Sequence, residues 1–526
     1  MAIETSSAAD ADAKADVTGP DATQIKWLSV IEQHDKAFRD WKKRAHKLWR
    51  IYSEERRQNR ADAGVTDRKM SLFWSNVSTL QPAVYANTPK PNVSRRFKDD
   101  DPVARQAAEM VERCLIACGD EGDIDRTLRM CRNDFLVVGR GTAWVRYEAE
   151  TEAMSDDEGN PLNERGEPLG EDDAPAERIA GEHIEFDYVH WDDFGHSVAR
   201  TWEEVTAVWR RVYMSRSDGE KRFGKENFRT VQLDHRVSEA DGEEMEDTKQ
   251  SELNKATVYE IWDKISNKVY FIAKGARAPL EVVEPYLDLK DFFPCPRPLF
   301  GTVTTNSLIP TPEYVFYQDQ CEEIDDLTQR IASLQDALKL VGFYPGGPDG
   351  EAAPQIEKAA QAGFENQLIA VPNWSSFVEG GKGGAPIVWW PVEQVAKTIT
   401  ACIELRKQLI EDVYQITGIS DIMRGEGEKG TTATEQNLKS QWGSIRIRDR
   451  QHAIAVFSRD IFRIAAEIIA DKFQPDTIMA MSNTNLPTAA EIEQQAMAAQ
   501  MQALQQRAMQ AQAQPQIPQA GGGMAA

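Results

Sequence analysis

The chain has 526 residues, 41% of them hydrophobic and 28% charged, with thirteen Trp; that is too long for one ordinary core and too apolar for a disordered chain, so two to four subdomains are expected. A net charge of −24 and a pI near 4.9 exclude a protein that grips phosphates over a broad basic surface, leaving local or loose contact with nucleic acid. No apolar run approaches the roughly 20 residues that span a bilayer, and the polar, Ala/Asp-rich start is not a signal peptide, so a soluble, cytoplasmic protein without a membrane partner is expected.

The first 20 or so residues are small and polar and cannot offset the entropy of ordering. From Ile25 to Tyr52 the spacing of Leu28, Ile31, Phe38, Trp41, Ala45 and Leu48 predicts a long amphipathic helix with a basic outer face. "TLQPAVYANTPKPNVSRRF" then interrupts the pattern with three prolines. Two helices are expected around Asp101 to Cys118, opened by Asp101 as cap with Pro102 in the first position, and Ile124 to Val138. The period then changes to two: "TAWVRYEA" and "EHIEFDYV" read as antiparallel strands on either side of an acidic, turn-rich insertion. "TVYEIWD" and "KVYFIAK" read as a second hairpin joined at Ser266-Asn267. Residues 25 to about 300 thus read as one α+β domain, ending at "DFFPCPRPLF".

Thr311-Pro312-Glu313 reads as the start of a helix whose seam is Ile324, Leu327, Ile331, Leu334, Leu338 and Val341, with acids crowding the first half and bases the second. A second helix, Val392 to Thr417, carries Val395, Ile399, Cys402, Leu409, Val413 and Ile416 and stops at Gly418. Between them lies a Gly/Pro-rich excursion with short apolar runs, read as a small strand-containing unit. A third helix starts at the box Thr432-x-x-Glu435, takes a heptad-like stripe Ile454, Phe457, Ile461, Ile464 and Ile468, and ends near Phe473. Beyond Pro487 the chain is Gln/Ala/Met-rich.

Three features bear on chemistry. Gly425-x-Gly427-x-x-Gly430 has the spacing of a phosphate loop, but a helix precedes it where a dinucleotide fold needs a strand, and Lys429 comes before the last glycine where a P-loop needs it after. It reads instead as a pliable loop between helices, with Arg424 and Lys429 solvated. "HWDDFGHS" places His190, Asp192, Asp193 and His196 within seven residues, a set that could hold a divalent metal; a strand end followed by a turn is the plainer reading. The six Cys have no CxxC partner and no His at zinc spacing, and read as reduced core thiols. No motif for nucleophilic or metal-dependent catalysis is visible, and neither an enzyme nor a cofactor is expected.

"FWSNVSTLQPAVYANTPKPNVSRRF", "HWDDFGHSVARTWEEVTAVWRRVYMSRSDGEKRFG", "VYEIWDK", "FFPCPRPLF" before a helix ending "LQDALKLVGFYP", and "YQITGISDIMRGEGEKGTTATEQ", in that order, resemble the portal proteins of tailed bacteriophages over residues 25 to 473. The resemblance implies a mainly helical α+β subunit. After a tail over 1–24 come a wing over 25–310, a first stem helix over 311–341, a clip over 342–391 and a second stem helix over 392–417. A tunnel loop over 418–431, a long helix and crown over 432–475 and a C-terminal tail over 476–526 follow. It further implies a ring, usually of twelve copies, at one capsid vertex. Double-stranded DNA would pass through the channel without sequence readout. The partners implied are the terminase large subunit, the major capsid and scaffolding proteins and a head-tail adaptor, with the virion, and the host cytoplasm during assembly, as its location. The tunnel-loop residues Arg424, Gly425, Glu426, Gly427, Glu428, Lys429 and Gly430 would then line the DNA channel. The insertion between Glu148 and His183 has no counterpart in that pattern. The competing reading is a metal-dependent nuclease using His190, Asp192 and His196.

Overall fold

A computed structural model describes residues 21–53, 68–95, 101–155, 177–235, 254–338, 341–345, 367–371, 388–389, 392–419, 433–484, 497–498 and 501. The fold is α+β with helix in the majority. The chain divides into two compact units, one formed by Met1–Pro89, Gly122–Arg146 and Glu185–Ile464, the other by Lys90–Glu121, Tyr147–Ile184 and Ala465–Ala526.

The first unit is built around helix α1 (Ala22–Tyr52). Asp21 caps it, its carboxylate accepting from the Thr23 amide at 2.6 Å. Trp27, Ile31, Phe38, Trp41, Ala45 and Leu48 form its buried stripe, as their spacing predicts. Helices α2 (Leu72–Val84) and α4 (Ile124–Val137) belong to the same unit, and α3 (Pro102–Glu121) to the other. Strands β1 (Arg140–Ala153) and β2 (Glu177–Val189) lead into β3 (Phe194–His196), β4 (Ala207–Met214), short helices α5 (Arg216–Phe223) and α6 (Lys225–Phe228), then β5 (Ala256–Asp263), β6 (Lys268–Ala273) and β7 (Glu281–Val283).

Strands β3 to β7 make one antiparallel sheet in chain order, with β4 and β5 paired from Ala207↔Asp263 to Met214↔Ala256. Every residue of β5 is buried because both faces are covered. On one face Tyr259 and Ile261 pack with Trp27 and Ile31 of α1; on the other Ala256 and Val258 pack with Phe223 and Phe228. The expected hairpin is present, its strands joined at Asp263↔Lys268, and Asn267 takes a positive φ of 53°. Strand β8 (Leu299–Phe300) pairs with the first residues of β1, and β9 (Thr302–Thr304) pairs with β10 (Ser307–Thr311).

Three local outcomes differ from the sequence expectations. The first six residues of the Pro-containing stretch that starts at Thr79 close a helix, α2, and the pattern breaks only after Val84; Pro82 falls in the last turn, where its missing N–H removes a single helical bond, and Leu72, Phe73, Val77 and Leu80 are buried. Thr311-Pro312-Glu313 does not open the long helix directly. It opens a 3-10 turn, Glu313–Phe316, and Tyr317 at φ −137° breaks the path before α7 (Gln318–Ala337). Burial of Tyr314 and Tyr317, with Tyr314 against Phe73 at 4.4 Å, favours the break. Finally, Val341 leaves the helical seam and starts β11 (Val341–Pro345), because that segment gains ladder partners on both sides: parallel from β12 (Gln367–Val371), antiparallel from β13 (Val388–Trp389).

That small sheet lies between α7 and α8 (Val392–Thr417), which pack against each other. Gly342 pairs with Trp389 at one end and Arg406 donates to Thr328 Oγ1 at 3.3 Å further along, so the two helices run antiparallel. Helix α9 (Ala433–Lys472) follows, with Ile454, Phe457, Ile461, Ile464 and Ile468 buried as expected. The capping residue Thr432 lies outside the described residues.

In the second unit Asp101 caps α3 through the Val103 amide at 3.0 Å. An unforeseen helix, α10 (Pro475–Ser482), starts with Pro475 at its first turn. Glu182, buried on β2, accepts from the Gln474 amide at 2.8 Å and the Thr477 hydroxyl at 2.7 Å, placing a carboxylate on the positive end of that helix. Arg113 of α3 donates to the Ser482 carbonyl at its other end. Strands β1 and β2 run into the acidic insertion as far as Ala153 and from Glu177; its middle lies outside the described residues.

One test isolates the packing of the five-stranded sheet. Gly195 sits opposite Trp209, and a Cβ there would come within 2.3 Å of the indole ring. Gly195→Ala should lower stability by about 1–3 kcal/mol, read as a fall in the thermal midpoint; an unchanged midpoint would contradict the packing described.

Candidate functional site

The glycine-rich loop is described at its start. Helix α8 buries Cys402, Leu409, Val413 and Thr417; Thr417, not the expected Ile416, closes the buried stripe, its hydroxyl donating to the Val413 carbonyl at 2.8 Å. Gly418 leaves the helix with φ +72°, a conformation that a side chain resists, and its amide bonds the Tyr414 carbonyl at 2.8 Å. Ile419 is buried. Arg446 of α9 reaches across and donates to the Ile416 carbonyl at 2.7 Å, one of the carbonyls that a helix end leaves unsatisfied. A Cβ on Gly418 would lie 3.1 Å from that arginine side chain. Arg424, Gly425, Glu426, Gly427, Glu428, Lys429 and Gly430 lie outside the described residues, and the structure therefore places the start of the loop and not its cations.

One turn further along α9, Arg450 donates to Glu313 at 2.5 Å, tying α9 to the 3-10 turn that precedes α7. A cavity of about 460 Å³ lies beside this pair, lined by Phe135, Gly139, Phe316 and Ile416 among others. The turn before α7, the end of α8 and the middle of α9 therefore meet at a cation, a carboxylate and a capped helix end. Groups of this kind can hold and orient neighbouring elements.

The His/Asp cluster disperses. His196 is fully buried in β3, its Nδ1 2.9 Å from the Ser197 carbonyl, and burial drives its pKa down to about 3. Asp192 pairs with Lys42 of α1 at 2.8 Å, with Arg211 at 3.9 Å further out. Asp193 accepts from the Tyr213 hydroxyl at 2.5 Å. His190 Nδ1 faces the Asp192 amide at 3.3 Å. The ligand atoms of His190, Asp192 and His196 do not converge as a metal set. The segment forms the strand end, turn and short strand of the plainer reading.

What the turn does is hold Arg140, which sequence reasoning missed. Arg140 opens β1 and is fully buried; its Nη2 donates to the carbonyls of Trp191 at 2.5 Å and Phe194 at 3.0 Å. Its guanidinium lies over Trp41 at 4.5 Å, Phe38 at 5.3 Å and Phe194 at 5.6 Å. Burial lowers its pKa to about 9, against the pull of Asp192 and Asp134. Burial raises Asp134 to about 7 although Tyr188 donates to it at 2.6 Å. The available signal was an arginine inside the apolar run "FLVVGRGTAWV".

His34 of α1 stacks on Phe38 at 4.3 Å and meets His196 edge-on at 5.6 Å; burial holds it near pKa 4. Both histidines titrate lower in the folded chain than the ordinary 6.5, so below pH 6.5 the unfolded chain binds protons that the folded chain refuses, and stability falls with pH down to about 4. Asp134 acts in the opposite sense, its contribution being lost as pH rises from about 4 toward 7. The His34 share is separable: His34→Phe, which keeps the stack, should remove a dependence on the order of 3 kcal/mol between pH 6.5 and 4. Urea denaturation across that range checks it; parallel curves for the two proteins would refute the assignment.

Comparison with models of known protein families and with curated proteins finds no match to this chain.

Proposed function

We propose that this chain is a subunit of a bacteriophage-type portal, a ring around a channel for double-stranded DNA. The observation that carries the reading is an order of parts: two antiparallel helices enclosing a small sheet, a left-handed glycine opening a glycine-rich loop, and a 40-residue helix behind it. In this reading α7 and α8 are the stem, the sheet between them the clip, residues 418–431 the tunnel loop, and the α1-centred sheet the wing. The clip would meet the terminase large subunit during packaging and a head-tail adaptor afterwards. The outer surface would meet the major capsid and scaffolding proteins. Function would be that of a structural component of the virion, with no cofactor.

Local physics supports this division of labour. Arg446 and Gly418 hold the loop's first residues, which in this reading would let a tunnel loop move without loosening the helices. Arg424 and Lys429, repeated around a ring, would touch DNA phosphates without reading bases, while the prevailing negative charge repels the duplex within a Debye length of about 8 Å. Exposed Leu405 on α8 and Ile445 on α9 are apolar surface that neighbouring copies would cover.

The mass of the purified protein tests the assembly: twelve chains of 59.1 kDa make about 700 kDa, and a chain that remains monomeric under all assembly conditions rules the ring out. The loop is tested by Arg424→Ser with Lys429→Ser, expected to change DNA packaging or retention while the ring forms as before. Unchanged particle yield would remove the loop from the DNA path. Divalent-metal-dependent DNA cleavage would instead favour the nuclease reading.

A further inference from the structure

Two charged stripes of opposite sign lie on the outward faces of two helices in the first unit. On α1, Lys36, Arg39 and Lys43 follow one another at spacings of three and four, on the side opposite the buried stripe of Phe38, Trp41 and Ala45. All three are exposed. Arg39 has the exposed Asp40 at 3.7 Å, and among the described residues Lys36 and Lys43 make no ion pair. On α7, Asp319, Glu323 and Asp326 line the side away from buried Cys321 and Ile324, again exposed and again without an ion pair among the described residues. Where the two helices come near each other in one chain, Lys47 and Glu322 pair at 3.7 Å. Among the described residues, Lys36, Lys43, Asp319, Glu323 and Asp326 have no such counterpart.

We infer that the basic stripe of α1 in one copy docks on the acidic stripe of α7 in the next. The inference rests on the ring reading above and names the surfaces that would set its register. A second copy is the favoured partner because each chain carries both halves. One head-to-tail contact therefore leaves one stripe of each sign free for the next, the condition for a closed ring. A nucleic acid is disfavoured: an acidic helix approaches the basic one at Lys47, and the chain as a whole carries −24. Exposed charges of this kind govern encounter and register, and their contribution weakens with salt.

The test uses the full chain in sedimentation velocity. Lys36→Glu, Arg39→Glu and Lys43→Glu together should reduce the assembly from ring mass to the 59.1 kDa monomer, as should Asp319→Lys, Glu323→Lys and Asp326→Lys. Mixing the two variants should restore the ring, since each supplies the sign that the other lacks. If a triple variant misfolds by circular dichroism, Lys36→Gln with Lys43→Gln decides the matter: its ring should dissociate at lower salt than the wild type. A wild-type ring whose variants assemble unchanged at every salt concentration overturns this inference alone, as does a mixture of folded variants that stays monomeric. A closed dimer in place of a ring overturns the head-to-tail arrangement. A variant that keeps its ring but loses binding of a short DNA duplex assigns the stripe to nucleic acid and overturns the docking. A wild type that is monomeric throughout removes the ring reading itself.

Discussion

The α1-centred unit depends on the burial of one guanidinium. Moving a cation from water into a protein interior costs several kcal/mol even after relaxation, and among the described residues no carboxylate lies within hydrogen-bonding distance of Arg140. Two main-chain carbonyls and three aromatic faces compensate instead. Those partners come from α1, from the turn after β2 and from β3, so the arginine is stable only when all three are in place. The neutral state of His34 and His196 belongs to the same arrangement, since burial disfavours charge on both rings and the Arg140 cation adds to that effect.

This accounts for the appearance of a catalytic cluster where the geometry shows none. The residues of "HWDDFGHS" are polar because a tight turn must pair with basic side chains on α1 and β4, and because its backbone must face a buried cation. Asp192 neutralises Lys42, Asp193 holds Tyr213, and His196 is a buried ring in an aromatic core. Density of metal-ligating residue types along a chain does not imply convergence in space.

The roots of the glycine-rich loop show a different economy. Fixed points stand at its start: a helix end capped by Arg446 of α9 and a buried Ile419, with an ion pair between α9 and the turn before α7 close by. The start of the loop is held by a hydrogen bond from an arginine side chain to a helix-end carbonyl and not by side-chain packing alone.

Local pattern by itself determined the long amphipathic α1, the Asp101 cap, the β5–β6 hairpin and the stop of α8 at Gly418, because each rests on side-chain periodicity or on a φ that glycine tolerates. Tertiary structure alone decided the rest. Pro82 is tolerated in α2 because its neighbours are buried; Tyr317 breaks the helix because two tyrosines find a core; Val341 becomes a strand because two distant segments offer it hydrogen bonds. Arg140 and Glu182 acquire their roles from partners roughly 50 and 290 residues away, and such long-range satisfaction of a buried charge leaves no periodic trace in the chain.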